Sequence, residues 1–93
     1  MVKHIVFWNL SDPEHKQENA ARMKELLEGL VGIVPGLVCA QVSRSFAGFD
    51  VVLESQFTDR DALDGYQNHP AHLEVKKFVH SVICERASCD FEM

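Results

Sequence analysis

The first ten residues, MVKHIVFWNL, constrain the fold more than any other stretch. Side chains alternate along a strand, so Val2, His4, Val6 and Trp8 share one face while Ile5 and Phe7 lie on the other. Both faces are therefore largely apolar, and such a strand must be covered on both sides. A chain of 93 residues makes one small domain, 1–93, with a modest core. Yet 46% of it is hydrophobic, with six Phe and one Trp. One layer of helices covers one face; a second copy of the chain is the expected cover for the other, placing Ile5, Phe7 and Val52 at a homodimer interface.

The remaining pattern supplies the layer of helices. Ser-Asp-Pro-Glu, Ser11 to Glu14, fits a capping box with Pro13 in the first turn. Met23, Leu26, Leu27, Leu30, Val31 and Val34 then recur at spacings of three and four, predicting a helix from about 13 to 31. Gly32 ends it, and Pro35-Gly36 turns the chain. Residues 37–44 and 51–57 read as strands joined by a turn around Gly48. Thr58 or Asp59 caps a short helix ending near Gly65 or Tyr66, Pro70 opens a second helical piece, and 82–91 is a last strand. The order βαββαβ is the ferredoxin-like α+β plan, a four-stranded antiparallel sheet with helices on one face.

The charge excludes some functions. Nine basic against fourteen acidic residues give a net charge of −5 without a basic run, which argues against nucleic-acid binding. No apolar stretch approaches the roughly 18 residues of a membrane span, and the N-terminus reads as a strand rather than a signal peptide. Cys39, Cys84 and Cys89 form no CxxC pair, so reduced thiols in a cytoplasmic protein are expected.

The residues that bear chemistry are the histidines. His69 and His72 are three apart in YQNHPAHLEV, but no Cys or carboxylate is set beside them to complete a metal site, and no metal is expected. His69, just before Pro70, suits the satisfaction of backbone groups at a helix start. His72 falls inside the first turn, where it can face the sheet. If the His4 face of the first strand looks toward the helices, His4 and His72 meet in one interior pocket.

VKHIV at the start, VPGL after the first helix, FDVVLESQF, YQNHPAHLEV and the ending CDFE together resemble the stress-responsive A/B barrel domain family, Dabb, over nearly the whole chain. The resemblance implies a ferredoxin-like α+β barrel that pairs as a homodimer through its sheet. Some plant members are polyketide cyclases, and others are stress-associated proteins that form larger assemblies. In the cyclases the histidine of VKH and the second histidine of HPAH work in the pocket, with the preceding tyrosine nearby. Here these positions are His4, His72 and Tyr66. The implied pocket wall is Val6, Trp8, Met23, Leu27, Leu53, Ser55, Val75 and Ile83. Trp8 is larger than the cyclase residue and Leu27 replaces an aromatic, which leaves little room for a long alkyl chain. Carbonyls around Val31, Val34 and Leu37 are a further place where family structures suggest a weakly held cation.

Two functions fit this pattern. In the first, a small polyketide-like ligand is bound or cyclised without a cofactor, His72 acting as base and Tyr66 or His4 as donor. In the second, the domain is a non-enzymatic stress or assembly module whose His-Tyr cluster is structural. A cavity of several hundred cubic ångströms beside His72 favours the first; side chains packed to interior density favour the second.

Overall fold

The computed structural model describes residues 1–93. Its elements run β1 (Val2–Leu10), α1 (Lys16–Glu28), β2 (Leu37–Arg44), β3 (Val51–Phe57), α2 (Arg60–Asn68), α3 (Pro70–Val82) and β4 (Ile83–Glu92). The four strands form one antiparallel sheet in the order β2-β3-β1-β4, the ferredoxin-like topology with its second helix in two pieces. β1 is central, with Val6 opposite Leu53 on β3 and opposite Ser88 on β4.

The alternation of β1 survives intact. Val2, His4, Val6, Trp8 and Leu10 are buried on the face toward the helices, and the residues between them are half-buried. Val51, Leu53, Ser55 and Phe57 continue that face on β3. Met23 and Leu27 from α1, Leu63 and Tyr66 from α2, and Val75 and Val79 from α3 pack onto it as one core. α1 is pinned to the edge strand by side chains: Glu28 accepts from the Val42 N–H at 2.9 Å, and Lys24 Nζ donates to the Val42 carbonyl at 2.9 Å.

The first helix departs from expectation at both ends. It begins at Lys16, with His15 at the N-cap making no side-chain cap. The capping box does not form, because Ser11 is engaged elsewhere: its Oγ donates to the Val82 carbonyl at 3.1 Å, tying the end of β1 to the end of α3. Asp12 instead accepts from the Glu14 N–H. The helix ends at Glu28, and Gly32, with φ of 88°, lies in the turn beyond it. Gly36, with φ of 81°, allows α2 to approach: a Cβ there would collide with the side chain of Ala62.

The second helical region follows its punctuation closely. Asp59 caps α2 by accepting from the Ala62 N–H at 2.8 Å, though the helix runs on to Asn68, past Gly65 and Tyr66. His69 takes an extended conformation, as a residue before proline does, and its Nδ1 accepts from the Ala71 N–H at 3.1 Å. Pro70 then opens α3. No helix is long and apolar enough to cross a membrane.

Candidate functional site

The corner between α2 and α3 positions His72. The last carbonyls of a helix lack intrahelical partners. At the end of α2 the Tyr66 carbonyl accepts from the His69 N–H at 3.2 Å and from His72 Nδ1 at 2.8 Å. The neighbouring Gln67 carbonyl accepts from Lys76 Nζ at 3.1 Å. Because a carbonyl can only accept, the His72 proton sits on Nδ1 and Nε2 keeps its lone pair. The Tyr66 ring stacks on His72, with centroids 3.8 Å apart and planes at 19°. It also meets His4 edge-on, with ring centroids 6.1 Å apart. The two histidines thus share one site with the tyrosine ring contacting both.

His4 is held from β4. Its Nδ1 is hydrogen-bonded to the carboxylate of Asp90, which lies directly across the β1–β4 pair, and Ser55 Oγ donates to the His4 carbonyl at 3.0 Å. His4 and His72 are buried, His69 is half-buried, and His15 is exposed and paired with Asp12.

Burial sets the protonation of this cluster. It pulls His72 down to about 4, with Lys76, His4 and Arg86 lowering it further and the bond to the Tyr66 carbonyl opposing the shift. It also pushes the Tyr66 phenol well above its usual value. At neutral pH His72 is an uncharged imidazole with an open acceptor, and Tyr66 is a protonated donor. The neutral imidazole is the form that can accept a proton, but a value near 4 makes it a weaker base than an ordinary histidine.

These groups border a partly enclosed cavity of about 40 Å³. That space admits a few waters and falls well below the several hundred cubic ångströms of a drug-sized site. Of the expected wall, Val6, Trp8, Leu27, Leu53 and Val75 line it. Met23 and Ser55 do not; both are sealed into the core. Ile83 is also absent from the wall, because as the first residue of β4 it sits opposite Leu10 at the far end of the strand pair. Gln67, Lys76, Val79, His80 and Arg86 complete the lining. The helix period could have marked Lys76, Val79 and His80 as further turns of the His72 face. Arg86 and Asp90 depend on the β4 register, which a bulge at Asn9/Leu10 shifts and no local pattern announces.

Other candidates are placed elsewhere. Ile5, Phe7 and Val52 lie half-buried on the opposite sheet face, where Phe7 stacks on Phe49 at 5.6 Å. The Val34 carbonyl accepts from the Leu37 N–H at 3.3 Å. All three cysteines are free and exposed.

The family model described as Stress Responsive A/B Barrel Domain matches residues 2–93. The chain belongs to the Dabb family. Among solved structures, this Dabb chain is similar to a dimeric protein of unknown function and ferredoxin-like fold from Bacteroides fragilis, at 28% identity and a TM-score of 0.89, covering 99% of this chain and 95% of that one. A dimeric ferredoxin-like protein of unknown function from Jannaschia sp. aligns at 20% identity and a TM-score of 0.85, covering 99% and 98%. The hydroxynitrile lyase from Passiflora edulis aligns at 18% identity and a TM-score of 0.83, covering 97% and 90%. Those last two identities speak to the fold alone. No curated protein matches the Dabb chain.

Proposed function

We propose that the cavity is a small-ligand site in which His72 removes a proton from carbon and Tyr66 donates to the neighbouring oxygen as it gains charge. The observation that carries this reading is the His72 tautomer: Nδ1–H is committed to the Tyr66 carbonyl, leaving Nε2 as an acceptor in a neutral ring beside open space. Asp90 orients His4, which is placed to hold a second polar group of the ligand. The chemistry needs no cofactor. Aldol closure and lyase-type cleavage both begin or end with such a transfer. The small volume, bounded by Trp8 and Leu27, restricts the ligand to a compact carbonyl compound and disfavours a long alkyl chain.

By the volume criterion the structural reading is the favoured one, since about 40 Å³ falls short of the several hundred expected of a ligand site. The same small volume, and the bond from His72 to the end of α2, suit a cluster that fixes how α2 meets α3. The separating experiment is proton exchange at the α-carbon of small ketones and keto acids in heavy water, followed by NMR. The enzymatic reading expects exchange above the buffer rate, lowered roughly 10²- to 10⁴-fold by His72→Ala with folding retained. Exchange at the buffer rate, together with a lowered melting temperature in His72→Ala, leaves the structural reading standing.

For assembly, the supported reading is a homodimer formed through the open sheet face around Ile5, Phe7 and Val52. Two apolar faces on β1 and one layer of helices motivate it, as does the dimeric state of the similar Bacteroides fragilis protein. Light scattering should give about twice the 10.5 kDa chain mass; a monomer at micromolar concentration contradicts it.

A further inference from the structure

The charge distribution around the cavity runs against that of the chain. Acidic residues outnumber basic ones by fourteen to nine, yet none of the thirteen residues lining the cavity is Asp or Glu, and the carboxylate behind it, Asp90, is engaged by His4. Six of the nine basic side chains hold a carboxylate: Lys3, Lys16, Arg22, Lys24, Arg60 and Lys77. Of the three that do not, Arg44, Lys76 and Arg86, the last two line the cavity. Arg86, exposed on β4 at the cavity mouth, makes only a long bond of 3.3 Å to Ser88 Oγ, and the half-buried Lys76 donates to a backbone carbonyl.

The strand across from Arg86 adds a second, independent observation. Trp8 is the direct partner of Arg86 in the β1–β4 register, and its ring lines the same cavity. Trp8 is 4% exposed, and its indole N–H is the one buried side-chain polar atom without a hydrogen-bond partner. A buried donor left unpaired is costly, and native proteins rarely leave one without a reason. Two cations without a carboxylate thus line this end of the cavity, with the closed-off Trp8 N–H in its wall, and the missing complement is an acceptor carrying negative charge.

We infer that the Trp8–Arg86 end of the cavity is a carboxylate subsite, and that the ligand is a short-chain oxo acid. Its carboxylate lies against the Arg86 guanidinium, a planar fork suited to two parallel hydrogen bonds. Lys76 adds positive charge to the cavity wall. The carbonyl then falls toward Tyr66, and the carbon between the two groups toward His72. This assignment rests on the cavity being a ligand site and specifies which ligands it selects.

The test is a binding comparison by two-dimensional NMR on the full-length chain, with acetoacetate and its neutral methyl ester as probes. The wild type is expected to bind the acid roughly tenfold more tightly than the ester, the scale of one charge-assisted contact. Arg86→Gln should weaken the acid far more than the ester and so erase that preference. Trp8→Phe, which keeps a ring but removes the N–H, should weaken the acid more than the ester. Arg44→Gln, equally unpaired but away from the cavity, should leave the preference intact. Equal affinity for the two probes in the wild type overturns the carboxylate subsite while leaving the ligand cavity standing. A preference that persists in Arg86→Gln overturns the role of Arg86. If neither probe binds, the ligand reading of the cavity fails and the subsite with it.

Discussion

On β1 the apolar side chains facing the helices, Val2, Val6 and Trp8, are at most 4% exposed, whereas Ile5 and Phe7 between them are only half-buried. The backbone, strand and hydrophobicity are shared; the neighbours differ. The covered face is shielded from water, so polar groups there are either hydrogen-bonded, as His72 is, or costly, as the Trp8 N–H is. Low hydration on that face is also what moves His72 and Tyr66 away from their ordinary protonation behaviour. The open face has apolar content without a cover. On the proposed reading, chemistry would belong to the first face and association to the second.

The largest expected effect lies on the covered face. Phe57 is fully buried in contact with Tyr66 and His4, so Phe57→Ala should cost about 3–5 kcal/mol in urea unfolding. A loss under about 1 kcal/mol would mean that this face is less tightly packed than the structure requires. On the open face, Phe7→Asp should act mainly on association. It should weaken the proposed dimer by roughly a hundredfold or more and lower scattering mass toward 10.5 kDa, because a charge would be desolvated at the interface. Melting temperature should also depend on protein concentration in the wild type and lose that dependence in the variant. If Phe7→Asp leaves the mass unchanged, the two faces do not divide their roles in this way.

Titration gives a smaller effect confined to the covered face. His72 takes a proton near 6.5 in the unfolded chain but only near 4 when folded. Between these values the unfolded state binds more protons, so stability is complete above about pH 6.5 and falls as pH drops toward 4. The loss should be roughly 1–3 kcal/mol, and His72→Gln should flatten the curve over that window. An equally steep curve in the variant would place the titrating group elsewhere. His69→Ala gives the smallest change. Losing its bond to the Ala71 N–H should cost about 0.5–1 kcal/mol and leave ligand binding unaltered. An effect on binding comparable to that of His72→Ala would erase the distinction between these neighbouring histidines.

Much of this was legible because it depends on short-range rules. Strand parity put His4 with Val6 and Trp8, and the bounds of β2 and β3 followed from alternation and the turn at Gly48. The proline rule separated a capping His69 from an inward His72. The capping box at Ser11 misled because the same hydroxyl can serve a distant carbonyl, and Val82 lies 71 residues away in sequence. Arg86 and Asp90 were hidden for a related reason. Both reach the site through cross-strand register on an edge strand whose side chains are mostly exposed, so burial pattern marks neither.

The central claim is that His72 stands neutral, with Nε2 open, on the covered face of the sheet. Nitrogen-15 NMR of the imidazole across pH 3 to 8 reads this directly, since the two ring nitrogens report tautomer and protonation separately. The account predicts a proton on Nδ1 throughout and titration near 4. A proton on Nε2 at neutral pH, or titration near 6.5, would contradict it.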